Sequence, residues 1–234
     1  VPVSPDLRIT GLSRTPGAAV RRVFREDEGR SVLLIPLAER RQQLLGIQWV
    51  REASVSRVWP NRIDVRVTER VPQAFVRLPA QRRWAPSIPA LIDEDGVILP
   101  APSDRGSYEL PVLAGIREDQ THAERATRVR LMKALLADLG RAAEQVAEVD
   151  AAHLTNWKII LQVHDRAVTL ILGDGEHGKK VQRFLQHWPE IQKRAPNAFK
   201  FDLRLADRIT AVEEAPSAQT PAGEPETQAG GIKG

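Results

Sequence analysis

No cysteine occurs among the 234 residues. That excludes disulfides, thiolate zinc sites and a cysteine nucleophile, but not either side of a membrane as the compartment. Long apolar runs are missing too. No stretch approaches the roughly eighteen consecutive apolar residues of a membrane-spanning helix. The opening VPVSPDLRIT has neither the charged first region nor the apolar core of a signal peptide. Val1 is not a natural start, so a segment trimmed from the front is expected. Lysine is absent from residues 1–83, which hold sixteen arginines and eight acidic residues, a balance of +8. The remainder carries eighteen basic and twenty-two acidic residues, a balance of −4, and the whole chain is +4. Two segments of opposite charge imply two domains with different neighbours. The basic half suits nucleic acid or anionic lipid headgroups, or is simply a solvated arginine-rich surface.

The hydrophobic content of 42% is enough for one large or two small domains. Asp6–Thr10 alternates as a short strand and stops at Gly11. Pro16 fits the first turn of a helix with Ala19, Val20, Val23 and Phe24 at helical spacing. A second helix runs from Pro36 to a stop at Gly46. Val50–Val58 and Arg62–Glu69 then alternate as strands. Ile63, Val65 and Val67 point one way and Arg62, Asp64, Arg66 and Thr68 the other, as in an antiparallel sheet covered on one face. Pro60 and Asn61 suit the two central positions of a turn joining these strands. A bulge or strand end is expected at Arg57 and Val58, where the alternation falters. The order is β-α-α-β-β, with Pro72 as a break.

Beyond it, QAFVRL (73–78) is strand-like, LIDEDGVIL (91–99) is a hairpin on Asp95-Gly96, and LPVLAG (110–115) is a short strand or buried connection. Thr121 and Glu124 form a capping box. Val129, Met132, Leu135, Leu136 and Leu139 make the apolar stripe of the helix that follows, closed by Gly140. Strands are expected near 144–149, 157–164 and 167–173, the last two joined through Asp165-Arg166. A helix over 177–188 buries Val181, Phe184, Leu185 and Trp188, and a final ordered run covers 198–213. Residues 214–234 are rich in Pro, Ala, Gly and Glu and read as a disordered tail.

Catalytic chemistry finds little footing. GDGEHGKK (173–180) matches the first seven positions of a phosphate-binding loop between a strand and a helix. However, Lys180 replaces the magnesium-binding hydroxyl, and Asp174 and Glu176 place carboxylates where phosphate would sit. Asp93-x-Asp95-Gly96 resembles the middle of a calcium loop, but Leu91 and Pro102 occupy two ligand positions. The five histidines form no ligand pair, no G-x-S-x-G elbow occurs, and no pair of acids is singled out as acid and base. The five tryptophans lie apart, giving no aromatic–basic platform for nucleic acid. The chain reads as a binding or scaffold protein with no cofactor.

Several stretches, in order, resemble the FtsQ/DivIB family of bacterial cell-division proteins. DLRITGLSRT is similar to its first strand, and SVLLIPLAERRQQLLGIQWVREASVSRVWPNRIDVRVTERVPQA to its helix, W-V-x-x-A-x-V-x-R-x-W-P run and E-R-x-P-x-A exit. ALIDEDGVIL, LPVLAG, WKIILQV, AVTLILG and FDLRL follow in family order, so the likeness spans roughly 6–213. The resemblance implies an α+β protein: a POTRA domain over 5–72, then a mostly antiparallel β-domain with two packed helices over 73–213. It implies an upstream transmembrane helix, an extracytoplasmic location at the inner membrane of the septum, and a non-enzymatic divisome role. It also implies binding to FtsB and FtsL by strand addition at the last β-strand. The residues concerned are Arg204, Leu205, Ala206, Asp207, Arg208, Ile209, Thr210, Ala211 and Val212, with Arg204 expected to pair with a partner's acid. A POTRA-containing chaperone of outer-membrane export is the alternative.

Overall fold

The computed structural model describes residues 6–78, 88–100, 108–205 and 208–212. The expected tail at 214–234, and the expected binding residues Ala206 and Asp207, lie outside these.

The first part has the expected order. β1 (Asp6–Thr10) is followed by α1 (Gly17–Val23), α2 (Leu37–Leu45), β2 (Val50–Val58) and β3 (Arg62–Glu69). Two 3₁₀ turns, Arg25–Asp27 and Val32–Leu34, fill the link between the helices. The sheet order is β1-β3-β2, and β1 runs parallel to β3, so the sheet is mixed and not purely antiparallel as the alternation suggested. Alternation reports which face is buried; it carries no information about strand direction. Val20, Ile35, Leu44, Ile63 and Val65 are fully buried between the helices and one face of this sheet. Arg40 and Asp27 are buried with them as a two-bond pair, Nε to Oδ2 at 2.7 Å and Nη2 to Oδ1 at 3.0 Å.

Of two local expectations, the strand end at Val58 is met and the turn that follows it is corrected. β2 does end at Val58, but the irregularity in its pairing lies at the other end, between Val50 and Glu52. Val58 pairs with Arg62, so the loop has three residues with Pro60 in the middle, and the Trp59–Pro60 peptide bond is cis.

The second part is a nine-stranded mixed sheet among the described residues, in the order β12-β11-β10-β9-β8-β7-β4-β5-β6. Its strands are β4 (Pro72–Leu78), β5 (Ile88–Asp93), β6 (Ile98–Pro100), β7 (Val112–Ala114), β8 (Val146–Asp150), β9 (Trp157–Val163), β10 (Arg166–Gly173), β11 (Lys200–Asp202) and β12 (Thr210–Ala211). Two helices, α3 (His122–Leu139) and α4 (His177–Arg194), cover one face. Both halves of the Thr121/Glu124 capping box form, and the expected stripe of α3 is in the core. The β9–β10 loop is His164–Asp165, one residue earlier than expected, because His164 adopts a left-handed φ of 54° and Arg166 already pairs with Val163. α4 runs past Pro189 to Arg194, where the sequence suggested an end at 188. Pro189 removes one helical hydrogen bond, but Trp188 and Ile191 on either side pack against the core and hold the helix in register. Phe184, Trp188 and Phe201 meet with ring centroids 5.1–6.0 Å apart, which fastens α4 to β11.

The two parts are joined by charge. The Glu69 carboxylate accepts the backbone N–H groups of Ser13, Arg14 and Thr15 at 2.7–3.0 Å, closing the loop after β1 onto the end of β3. The next residue faces the other way. Arg70 Nη1 donates to Asp93 Oδ2 at 2.6 Å and to Asp95 Oδ2 at 3.2 Å, and Arg51 of β2 pairs with Glu94 and Asp95. Asp93 is almost fully buried and also accepts the N–H groups of Asp95 and Val97, so the carboxylates of the calcium-like stretch shape a turn and receive arginines. On α3, Arg125 donates Nε to Gly96 O at 2.8 Å, and a Cβ at Gly96 would fall 2.3 Å from His122 O.

Two outcomes follow. Arg70→Ala leaves Asp93 buried without its cation, and a loss of about 2–4 kcal/mol is expected in denaturant unfolding; Arg70→Lys recovers part of it. Burial pushes the Glu69 carboxyl up, but the three backbone donors outweigh that and hold it below its ordinary range. A depressed carboxyl stabilises the fold above its unfolded value of about 4.3 and loses that contribution as pH falls through the folded value. Glu69→Gln is therefore expected to flatten the acid limb of a stability–pH curve and leave its shape near neutral pH unchanged.

Candidate partner-binding edge

β12 is the outermost strand at one end of the nine-stranded sheet, paired antiparallel to β11 through Phe201↔Ala211 and Asp202↔Thr210. Val212 donates its N–H to Lys200 O at 2.8 Å. That bond sets the parity: residues 210 and 212 present their backbone groups to β11, and Ala211 presents its N–H and C=O to the open side. Ile209 shares the parity of Ala211. The expected strand over Leu205–Val212 is thus much shorter than the sequence suggested. Leu205, Arg208 and Ile209 are not in strand geometry, Ala206 and Asp207 are outside the described residues, and only Thr210–Ala211 extend the sheet. The chain leaves β11 at buried Leu203, whose N–H is held by Ile171 O at 2.8 Å, and must turn before it can return antiparallel.

A groove of about 380 Å³ runs between this returning segment and α4. Its walls include Arg183, His187, Glu190 and Arg194 from the helix, and Phe201 and Ile209 from the sheet side. Ile209 is half-buried against the core, whereas Arg208, Thr210 and Ala211 are exposed. Arg183 Nη2 donates to Leu205 O at 3.3 Å and steadies the bend. The cations on α4 were not singled out from the sequence. Their helical spacing was visible, but nothing in it indicated that the chain end would fold back beside them.

Arg204, expected to await a partner's acid, is already paired within the chain. Asp202 Oδ2 accepts its Nη2 at 2.6 Å and Nε at 2.9 Å, and Asp202 Oδ1 accepts its backbone N–H at 2.9 Å. The Arg204 side chain keeps Asp202 below the usual carboxylate range. A D-x-R spacing in extended chain sets the two side chains on the same side and brings them together locally. The guanidinium is still more than half exposed, so it is oriented by Asp202 and accessible. It lies over Gly173, where an added Cβ would come within 2.8 Å of Arg204 Cγ.

The phosphate-loop resemblance dissolves on inspection of the donors. Lys180 is buried, and its ammonium donates to Leu172 O and Asp174 O, both at 2.8 Å. Glu176 pairs with Lys179, and the Gly178 N–H goes to Asp138 Oδ2. The loop is tied up by its own groups. Among the described residues no cluster of His, Asp and Glu is arranged to hold a metal ion, and no helix is long and apolar enough to cross a membrane.

Two family models match the chain in tandem: the FtsQ-type POTRA domain over residues 5–70, and the FtsQ/DivIB cell-division C-terminal region over residues 82–204. The chain belongs to the FtsQ/DivIB family. It is similar to the cell division protein FtsQ of Koribacter versatilis, 28% identical over 224 residues, covering 93% of this chain and 62% of that protein. The FtsQ of Nitrosospira multiformis is 29% identical over 223 residues, covering 90% and 84%, and that of Xanthomonas campestris is 24% identical over 205 residues, covering 87% and 67%. The family's α+β architecture, a POTRA domain before a β-rich one, is the architecture seen, and its members are cell-division proteins.

Gly173 has a φ of 65° and supports the arginine above it. Gly173→Ala is expected to cost about 1–2 kcal/mol from strain and to displace Arg204. The check is an NMR titration of Asp202, whose carboxyl should move up toward its ordinary value in the variant.

Proposed function

We propose that this chain is a non-enzymatic scaffold of the divisome. It sits on the extracytoplasmic face of the cytoplasmic membrane at the septum, held by a transmembrane segment upstream of the residues present here. In this reading residues 5–72 form the POTRA unit, 73–213 form the β-domain and 214–234 are a tail. FtsB, in complex with FtsL, adds a strand at β12, and the assembly couples to septal peptidoglycan synthesis.

The observation that carries the reading is the open backbone of Ala211 beside a groove walled by α4. A strand laid against Ala211 would complete the ladder, and its side chains would reach the apolar floor at Phe201 and Ile209 and the arginines around it. Arg204, steered by Asp202, would offer a charge-assisted contact at the start of the same edge. Leu205 is half exposed and adds an apolar anchor.

The test is calorimetric titration with a peptide from the extracytoplasmic part of FtsB. Ala211→Pro removes the outward N–H and leaves the Val212 bond to β11 in place, so about a tenfold loss of affinity is expected with the melting temperature little changed. Arg204→Glu and Ile209→Pro should abolish binding. Unaltered binding by all three variants would place the partner elsewhere.

A further inference from the structure

The end of the N-terminal domain remote from the β-domain carries an apolar cluster that the partner-binding edge does not use. Trp59, in the β2–β3 loop, is 85% exposed, and Leu33 and Leu34, in the 3₁₀ turn before α2, are 71% and 75% exposed. They share one end of the fold. Arg57, two residues before Trp59, donates Nε to Val32 O at 2.7 Å and Nη2 to Ile35 O at 2.6 Å, lashing the leucine turn to the end of β2. Asp6 at the start of β1 donates its N–H to Asn61 O at 2.9 Å, so the first strand begins beside the same loop.

Three large apolar side chains on protruding loops are costly in water and mark a contact surface. The charge around them narrows the partner. Arg57 donates to neutral carbonyl oxygens, so its charge is not offset by them beside the leucines. Arg30 is 55% exposed in the adjoining turn, and its contact to Asp27 is a loose 3.8 Å. Arg62 follows the loop directly, though Asp64 offsets it at 3.1 Å. Residues 5–72 hold thirteen arginines and eight acids, a balance of +5, with Asp6 and Glu28 the acids nearest these loops. An exposed indole and aliphatic side chains with guanidinium groups near them are the chemistry of a lipid headgroup boundary.

We propose that this end of the domain docks on an anionic lipid surface, with Trp59, Leu33 and Leu34 seated among the headgroups and Arg57 and Arg30 facing lipid phosphates. The contact orients the domain with β1, β2 and β3 end-on to the bilayer and points the β-domain away from it. It is independent of the FtsB reading, since either surface works without the other.

The experiment is flotation of the purified 234-residue chain with phosphatidylcholine vesicles, with and without phosphatidylglycerol. Binding is expected to the anionic vesicles, to weaken with salt, and to fall about tenfold or more in Trp59→Ala and in the Leu33→Ser/Leu34→Ser double variant. The substituted side chains are exposed, so melting temperatures should be unchanged. Equal binding to both vesicle types, no binding to either, or wild-type binding by both variants would overturn the proposal. So would sedimentation equilibrium showing, without lipid, a dimer that Trp59→Ala dissolves, because the cluster would then join two copies of the chain.

Discussion

Glu69 and Arg70 are neighbours of opposite charge, and each is committed to a different part of the molecule. The carboxylate gathers three backbone donors of the loop after β1, and the guanidinium reaches into the turn between β5 and β6. Successive side chains on a strand point to opposite sides, so one dipeptide at the end of β3 can serve both. Each apolar core is complete in itself. The relative placement of the two rests on ion pairs, which are sensitive to salt in a way that apolar burial is not, and on the Arg14 guanidinium 4.8 Å over the Tyr108 ring. Arg51 and Lys133 extend the same cluster toward Glu94, so the acidic turn is gripped from β2 and from α3 as well.

Much of the architecture was legible because periodicity reports burial. Ile63, Val65 and Val67 announced a one-faced strand, and Val129, Met132, Leu135 and Leu139 a one-faced helix; each buries that face. The capping box at Thr121 and the glycine turn at Gly96 were also visible, since each depends on residues adjacent in sequence. Strand direction in the first sheet was not, because parallel and antiparallel neighbours produce the same alternation. The length of α4 was misjudged for a related reason: a proline is a local penalty, and the packing of Trp188 and Ile191 that offsets it comes from β11 and the returning chain.

The candidate edge was legible only in part. FDLRL is one of the ordered stretches that resemble the family, and it lies near the end of the sheet, but the pairing of Arg204 with Asp202 two residues before it was not read from it. The arginines of α4 entered the site because the chain end folds back beside them, a long-range event with no signature in either segment alone. The strand side of the groove is legible in the sequence and the helix side is not.

The two rims of the nine-stranded sheet are not equivalent. At the far rim β6 ends on Pro100, and the pairing of Asp93 with Val97 gives Pro100 the outward parity, at the one residue type with no amide hydrogen to offer. Among the described residues the rim at β12 is open but only two residues long. A copy of this chain that received a strand at β12 would have a poor edge to hand on at β6, so growth by edge pairing stops after one step. The geometry disfavours a polymer built by edge-to-edge pairing of copies of this chain.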